Sequence, residues 1–219
     1  MYHVTKYAQS CFLIEKDGQR CLIDPGNYVY ERDSMQPSDW PKVDVILVTH
    51  EHPDHAHVAG IKLLVERDAC PVFTNGSFAR QLQDQGILAR VVSPGENMTA
   101  GGFTIRGVLQ KHGKLPSGLP EPEDVGFIVD DTFYTTGDSV PLPDMPHADV
   151  LFVPVAGPQM SFDTAKKMIE TVKPKLTIPM HHANVQKYPI DMNELRAFRV
   201  SGTDVLVLED TQSFEWPSE

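Results

Sequence analysis

The stretch Val43-Asp-Val-Ile-Leu-Val-Thr49, followed at once by His50-Glu-His-Pro-Asp-His55, carries the decisive reading of this sequence. Its first half is an apolar, β-branched run of the kind expected in a strand buried on both faces. Its second half crowds three imidazoles and the Asp54 carboxylate into six residues directly after that strand. Neutral histidine and ionised aspartate are ligands that borderline divalent ions such as zinc accept, and a short loop lets alternate residues face different sides of one cavity. His50 and His52, two apart on extended backbone, can share one ion. Asp54 and His55, beyond the bend that Pro53 helps to fix, can turn toward a second.

A histidine-rich loop can also be solvated surface that picks up metal adventitiously, so residues elsewhere must decide. Three later ones stand where a two-metal site would want them: His112 after the strand candidate Phe103 to Leu109, Asp138 after Tyr134-Thr-Thr-Gly137, and His181 after Ile178-Pro-Met180. Each alone reads as an ordinary histidine or as an aspartate closing a turn. Their shared position at the ends of predicted strands is what argues for a site.

Working outward, Ser10 to Glu15 and Gln19 to Asp24 flank Asp17-Gly18 as a hairpin. The decisive strand leads through its polar loop into a helix over Val58 to Arg67. Strands at Pro71 to Thr74 and Arg90 to Ser93 bracket a helix over Ser77 to Gln85, which Gly86 ends. Further strands are expected at Phe103 to Leu109, Gly126 to Val129 and Thr132 to Thr136, the last two hinged on Asp130-Asp131. Asp149 to Val155 reads as a buried strand, and Ser161 to Val172 as a helix capped by Ser161 and stopped by Pro174. Leu176 to Met180 is the strand that delivers His181. Asp191 to Phe198 is a helix with capping-box spacing at Asp191 and Glu194, and Asp204 to Leu208 a last strand. Two similar halves, each a meander plus αβ units, predict two sheets packed face to face with helices outside.

The chain has 219 residues, a length suited to a single α/β domain over 1–219. Its 19 basic against 30 acidic residues give a formal charge of −11, which argues against a broad nucleic-acid-binding face and favours a small-molecule substrate. Cys11, Cys21 and Cys70 form neither a disulfide framework nor a CxxC pair, as fits a reducing cytoplasm. No apolar stretch reads as a signal peptide or as a membrane span of roughly 20 residues. A homo-oligomer is compatible with the composition.

The residues His50, His52, Asp54 and His55 match the HxHxDH signature, and the chain resembles the metallo-β-lactamase-fold hydrolases along nearly its whole length, from Leu22-Ile-Asp-Pro25 through Gly137-Asp138 to Pro179-Met-His181. The resemblance implies an α/β fold, an αββα four-layer sandwich. It implies that His50, His52 and His112 bind one metal, that Asp54, His55 and His181 bind the other, and that Asp138 bridges both, with Asp24 supporting a ligand from behind. Ser10-Cys-Phe-Leu-Ile-Glu15 and Val153-Pro-Val-Ala-Gly157 look most like the compact branch that includes ascorbate-6-phosphate lactonase. Relatives there often carry a histidine where this chain has Gln9.

The activity so implied is metal-dependent hydrolysis of a small-molecule ester, lactone or phosphoester. Two divalent ions, zinc first, with manganese or iron as alternatives, would bring the pKa of a bridging water toward about 7. Asp54 would orient that water or accept its proton, and Asp24 would hold a ligand imidazole in its tautomer. The loop His112-Gly-Lys-Leu-Pro-Ser-Gly118 could border the pocket, with Lys114 either greeting an anion or solvated. His57 is expected on the first turn of the helix from Val58, and His182 either donates a proton or simply flanks His181. Alternatives are a phosphodiesterase or nuclease, for which neither length nor charge provides a nucleic-acid surface, and a non-catalytic metal-binding protein, for which seven candidate ligands exceed a closed four-ligand set. A diiron reductase of the same fold would be expected to carry glutamate at position 52.

Overall fold

The computed structural model describes residues 1–31, 35–115, 120–182 and 188–217. Pro116 to Gly118, the far end of the loop expected to border the pocket, lies outside the described residues. The chain divides into two compact units, residues 1–92 with 98–104 and 208–219, and residues 93–97 with 105–207.

The first unit opens with β1 (Tyr2–Lys6), β2 (Phe12–Lys16) and β3 (Gln19–Ile23), then α1 (Asn27–Glu31), β4 (Val45–Leu47), α2 (Val58–Asp68), β5 (Val72–Thr74), α3 (Gly76–Asp84) and β6 (Ala89–Val91). Asp17 and Gly18 join β2 to β3 with φ of 52° and 78°, the left-handed pair that matches the twist of a two-residue hairpin. All three residues of β4 are wholly buried. The strand is shorter than the apolar run that predicts it, and at the two ends of that run side chains take the backbone donors. Val43 N–H donates to Asp68 Oδ2 and Thr49 N–H to Asp24 Oδ1. Strands β3 to β6 run parallel, while β1 and β2 are antiparallel.

The helices cover this sheet with apolar stripes: Ile61 and Leu64 from α2, Phe78 and Leu82 from α3, all packed in one cluster with Leu13, Leu22 and Ile46. Each such fully buried side chain stabilises the fold by about 1.5–3 kcal/mol. Asn75 caps α3, and Gly86 follows its last turn with φ of 79°.

After β7 (Asn97–Ala100), most of which belongs to the first unit, the second unit carries the greater part of β8 (Phe103–Leu109), then β9 (Val125–Val129), β10 (Phe133–Thr135), β11 (Val150–Pro154), α4 (Phe162–Val172), β12 (Leu176–Met180), α5 (Met192–Ala197) and β13 (Asp204–Val205). Its sheet is ordered β13-β12-β11-β10-β9-β8-β7. Strands β10 to β13 are parallel, and β8, β9 and β10 form an antiparallel meander. Asp130 and Asp131, both at φ of 50°, make the expected hairpin. Ser161 caps α4 in a reciprocal box with Thr164, and Ala165, Met168, Ile169 and Val172 pack with Leu151 and Val153 of β11 and Leu195 of α5. Asp191 caps α5 by accepting the Asn193 N–H at 2.7 Å.

The last strand, β14 (Ser213–Trp216), returns to pair with β1, so the first sheet is ordered β14-β1-β2-β3-β4-β5-β6. Among the described residues no helix is long and apolar enough to cross a membrane.

Parallel pairing sets out the candidate residues. In the first sheet Asp24, the His50 to His55 loop and Asn75 follow the neighbouring strands β3, β4 and β5; in the second, Asp138, Ala156 and His181 follow β10, β11 and β12. The carboxyl ends of parallel strands are where open α/β sheets bind ligands.

Candidate metal centre

In the first unit the signature loop is organised by Asp24. This wholly buried carboxylate accepts three hydrogen bonds: Thr49 N–H at 2.8 Å, Thr49 Oγ1–H at 2.9 Å, and His55 Nδ1–H at 2.9 Å. Thr49 Oγ1, having donated to Asp24, accepts from His50 Nδ1–H at 3.0 Å. The proton of each ring thereby sits on Nδ1, and Nε2 of His50 and of His55 carries the lone pair that a metal ligand needs. His50 Nε2 stands 3.0 Å from His52 Nδ1. Two nitrogens bonded at about 2.0–2.1 Å to one tetrahedral ion are only slightly farther apart.

Several hydrogen bonds and one close backbone contact fix the loop. His55 N–H and Ala56 N–H both donate to His52 O at 2.9 Å, which bends the chain after Pro53. Asn27 N–H donates to Pro53 O at 2.8 Å, and a Cβ on Gly26 would overlap the Asp54 carbonyl, so the Asp24-Pro-Gly26 turn lies backbone to backbone against the loop. Asn75 donates to Thr49 O at 3.1 Å while its own oxygen caps α3. Glu51 accepts from Ser77 Oγ at 3.0 Å, and Gln9 Nε2 donates to Asp54 Oδ2 at 3.0 Å.

In the second unit Asp138 is 3% exposed, and its Oδ2 lies 3.2 Å from His181 Nε2 and 3.7 Å from His112 Nε2. His112 Nδ1–H donates to Gly113 O and His181 Nδ1–H to Ala156 O, each at 2.6 Å. With their protons held there, two lone-pair nitrogens face one carboxylate oxygen. That arrangement repels itself in a buried site unless a positive charge is shared among the three, so the donor set fits a divalent cation. His181 reaches its position through a left-handed backbone, φ 62°, directly after β12, and Asp138 through Gly137 at φ 55°.

The first unit thus groups His50, His52, Asp54 and His55 over Asp24, and the second groups His112 and His181 around Asp138. His57 is not within the first helical turn: it is the residue before α2, where its Nδ1 accepts Gly60 N–H at 3.1 Å as an N-cap. Burial lowers its pKa, and the charge of Glu31 partly offsets that. Lys114 is exposed, its backbone N–H tied to Gln159 Oε1 at 2.9 Å, and His182 is buried. Asn75, Ser77 and Gly26 were not among the expected residues. The one available signal is the Pro25-Gly26 dipeptide after Asp24, which favours a turn.

Residues 3–181 match the family described as the Beta-lactamase superfamily domain. The chain belongs to that superfamily. A UPF0173 protein of Pyrococcus furiosus is 30% identical over 183 residues, covering 79% of this chain and 80% of its own, which also assigns the chain to the UPF0173 family. A UPF0173 metal-dependent hydrolase of Carboxydothermus hydrogenoformans is 28% identical over 206 residues, covering 88% of this chain and 90% of its own. The crystal structure of a protein from Parabacteroides distasonis described as a metal-dependent hydrolase matches with a TM-score of 0.77 at 25% identity, covering 96% of this chain and 94% of that one. The two mixed sheets with their helices are the metallo-β-lactamase fold, as the signature implies.

Proposed function

We propose that this superfamily member is a metal-dependent hydrolase, a single domain over 1–219 that holds two divalent cations. His50, His52 and His112 hold one, Asp54, His55 and His181 the other, and Asp138 serves both. The observation that carries this reading is the pair of ring nitrogens, His112 Nε2 and His181 Nε2, that face the buried Asp138 carboxylate while their protons are engaged elsewhere. The same logic applies to His50 and His55 in the first unit. The names of the UPF0173 relatives support it independently.

Bound ions supply Lewis acidity and a water acidic enough to ionise near neutral pH. The chain's own residues do the rest. Asp24 and Thr49 keep His50 and His55 in the ligand tautomer, and the carbonyls of Gly113 and Ala156 do so for His112 and His181. Asp54 would orient the attacking water or accept its proton, and no protein nucleophile would be required. Zinc is the ion assigned first, on the predominance of imidazole donors. The net charge of −11 favours a small molecule over a nucleic acid, and the three buried free cysteines support a cytoplasmic setting.

The bond cleaved is a small-molecule ester, lactone or phosphoester. The likeness of Ser10 to Glu15 and Val153 to Gly157 to the ascorbate-6-phosphate lactonase branch carries the reaction class and ranks none of these bonds above the others. A panel of aryl esters, lactones and phosphodiesters, run on metal-stripped and zinc- or manganese-reloaded protein, tests this. Turnover that disappears on stripping and returns on reloading is expected for at least one class. Reloaded protein that turns over none of the three overturns the hydrolase reading.

A further inference from the structure

Gln9 sits at a corner of the turn Ala8-Gln9-Ser10-Cys11 that joins β1 to β2, closed by Cys11 N–H donating to Ala8 O at 3.3 Å. Its φ is 64°, a left-handed conformation that glycine, asparagine or aspartate adopts far more readily. Its side chain is wholly buried. A long amide held in a strained turn and removed from water is costly on three counts: the backbone, the lost rotamers and the desolvated polar group. A packing role alone would be met at lower cost by an apolar side chain on a relaxed turn.

The amide instead reaches 45 residues along the chain, where Nε2 donates to Asp54 Oδ2 at 3.0 Å. An ionised carboxylate only accepts, so the nitrogen and not the oxygen of Gln9 faces it. Independently, Gly26 packs on the Asp54 backbone too closely for any side chain to intervene.

We propose that Gln9 is a positioning residue for Asp54. Gly26 fixes where the Asp54 backbone lies, and Gln9 fixes which way its carboxylate points, by holding one oxygen so that the other is preset for the cation. The inference rests on the reading above that Asp54 is a ligand. It assigns the strained turn between β1 and β2 a part in metal binding, although no residue of that turn is itself a ligand.

The test is zinc titration by calorimetry on metal-stripped protein, for wild type, Gln9→Met and Gln9→Leu, with the melting midpoint of each stripped protein. Gln9→Met keeps the reach and loses the donor; Gln9→Leu loses the donor on a shorter chain and guards against a fault peculiar to methionine. Expected is a loss in affinity of about ten- to a hundredfold for one ion in both variants, as for other groups that orient a ligand, with the other ion within about twofold of wild type. The melting midpoint of the stripped protein stays near that of wild type. A variant that binds both ions as tightly as wild type overturns the inference. So does an equal weakening of both ions accompanied by a lower midpoint, which would mark Gln9 as part of the general fold. A wild type that takes up no zinc defeats the metal reading itself, and this inference with it.

Discussion

Asp24 Oδ2 and His55 Nδ1 lie 2.9 Å apart with both side chains fully sealed from solvent. The contact ties the end of β3 to the far end of the signature loop, and it decides which nitrogen of His55 is left for a metal. Asp24→Asn keeps the shape but puts an amide where only an acceptor fits, so at least one of three donors loses its partner. The expected costs are about 1–3 kcal/mol of folding stability for the unmet donor and about ten- to a hundredfold in metal affinity. Urea unfolding of the stripped protein and metal titration measure the two separately; wild-type affinity in Asp24→Asn would remove the supporting role.

Gly26→Ala addresses the same loop through sterics alone. The added methyl would overlap the Asp54 carbonyl, a backbone atom that cannot swing aside as a flexible side-chain end could. Moving it shifts Asp54 and His55 together. The variant is expected to lose about 1–3 kcal/mol or more, as overpacked sites do, and to bind metal more weakly. A crystal structure of Gly26→Ala with an undisplaced loop would contradict this.

How far all this is legible in the sequence follows from the range of each interaction. Asp17-Gly18, Asp130-Asp131 and the Ser161 cap act within a few residues, and each produces the element expected of it. Strands β1 and β14 are not expected, since Tyr2–Lys6 and Ser213–Trp216 pair across some two hundred residues and their patterns are half exposed and mixed in polarity. The polar, four-residue β7 escapes for a similar reason.

The candidate ligands cluster visibly in His50 to His55, because metal chemistry draws on few residue types, here histidine and aspartate. Of the groups that orient those candidate ligands, Asp24 is expected through the family resemblance, and the others do not stand out. Asn75, Ser77 and Gln9 are ordinary polar residues whose purpose appears only once β5, α3 and the turn after β1 bring them to Thr49, Glu51 and Asp54. His57 shows the converse: its place beside the signature suggests chemistry, and its contact with Gly60 N–H makes it a helix cap.

That cap titrates. Burial lowers the pKa of His57 below its ordinary 6.5, and the neutral ring is the form that accepts from Gly60. The unfolded chain therefore takes up the proton first: the stabilisation from His57 is fully present above about pH 6.5 and fades as pH falls through the lowered value. His57→Ala should cost about 1 kcal/mol at pH 8, and that difference from wild type should shrink at pH 5. Urea midpoints of metal-stripped protein at both pH values give the comparison. An equal difference at both would mean that the cap does not depend on the ring's neutral state.

The most direct test of the central claim is elemental analysis of metal per chain after zinc saturation and removal of loosely held ions, for wild type, His52→Ala and His181→Ala. The account predicts about two ions in wild type, the number a dinuclear hydrolytic site requires. It also predicts that each substitution, one in each proposed ligand set, lowers the retained metal while the chain stays folded. A folded wild type that retains no zinc, or one whose content is indifferent to both substitutions, would contradict it.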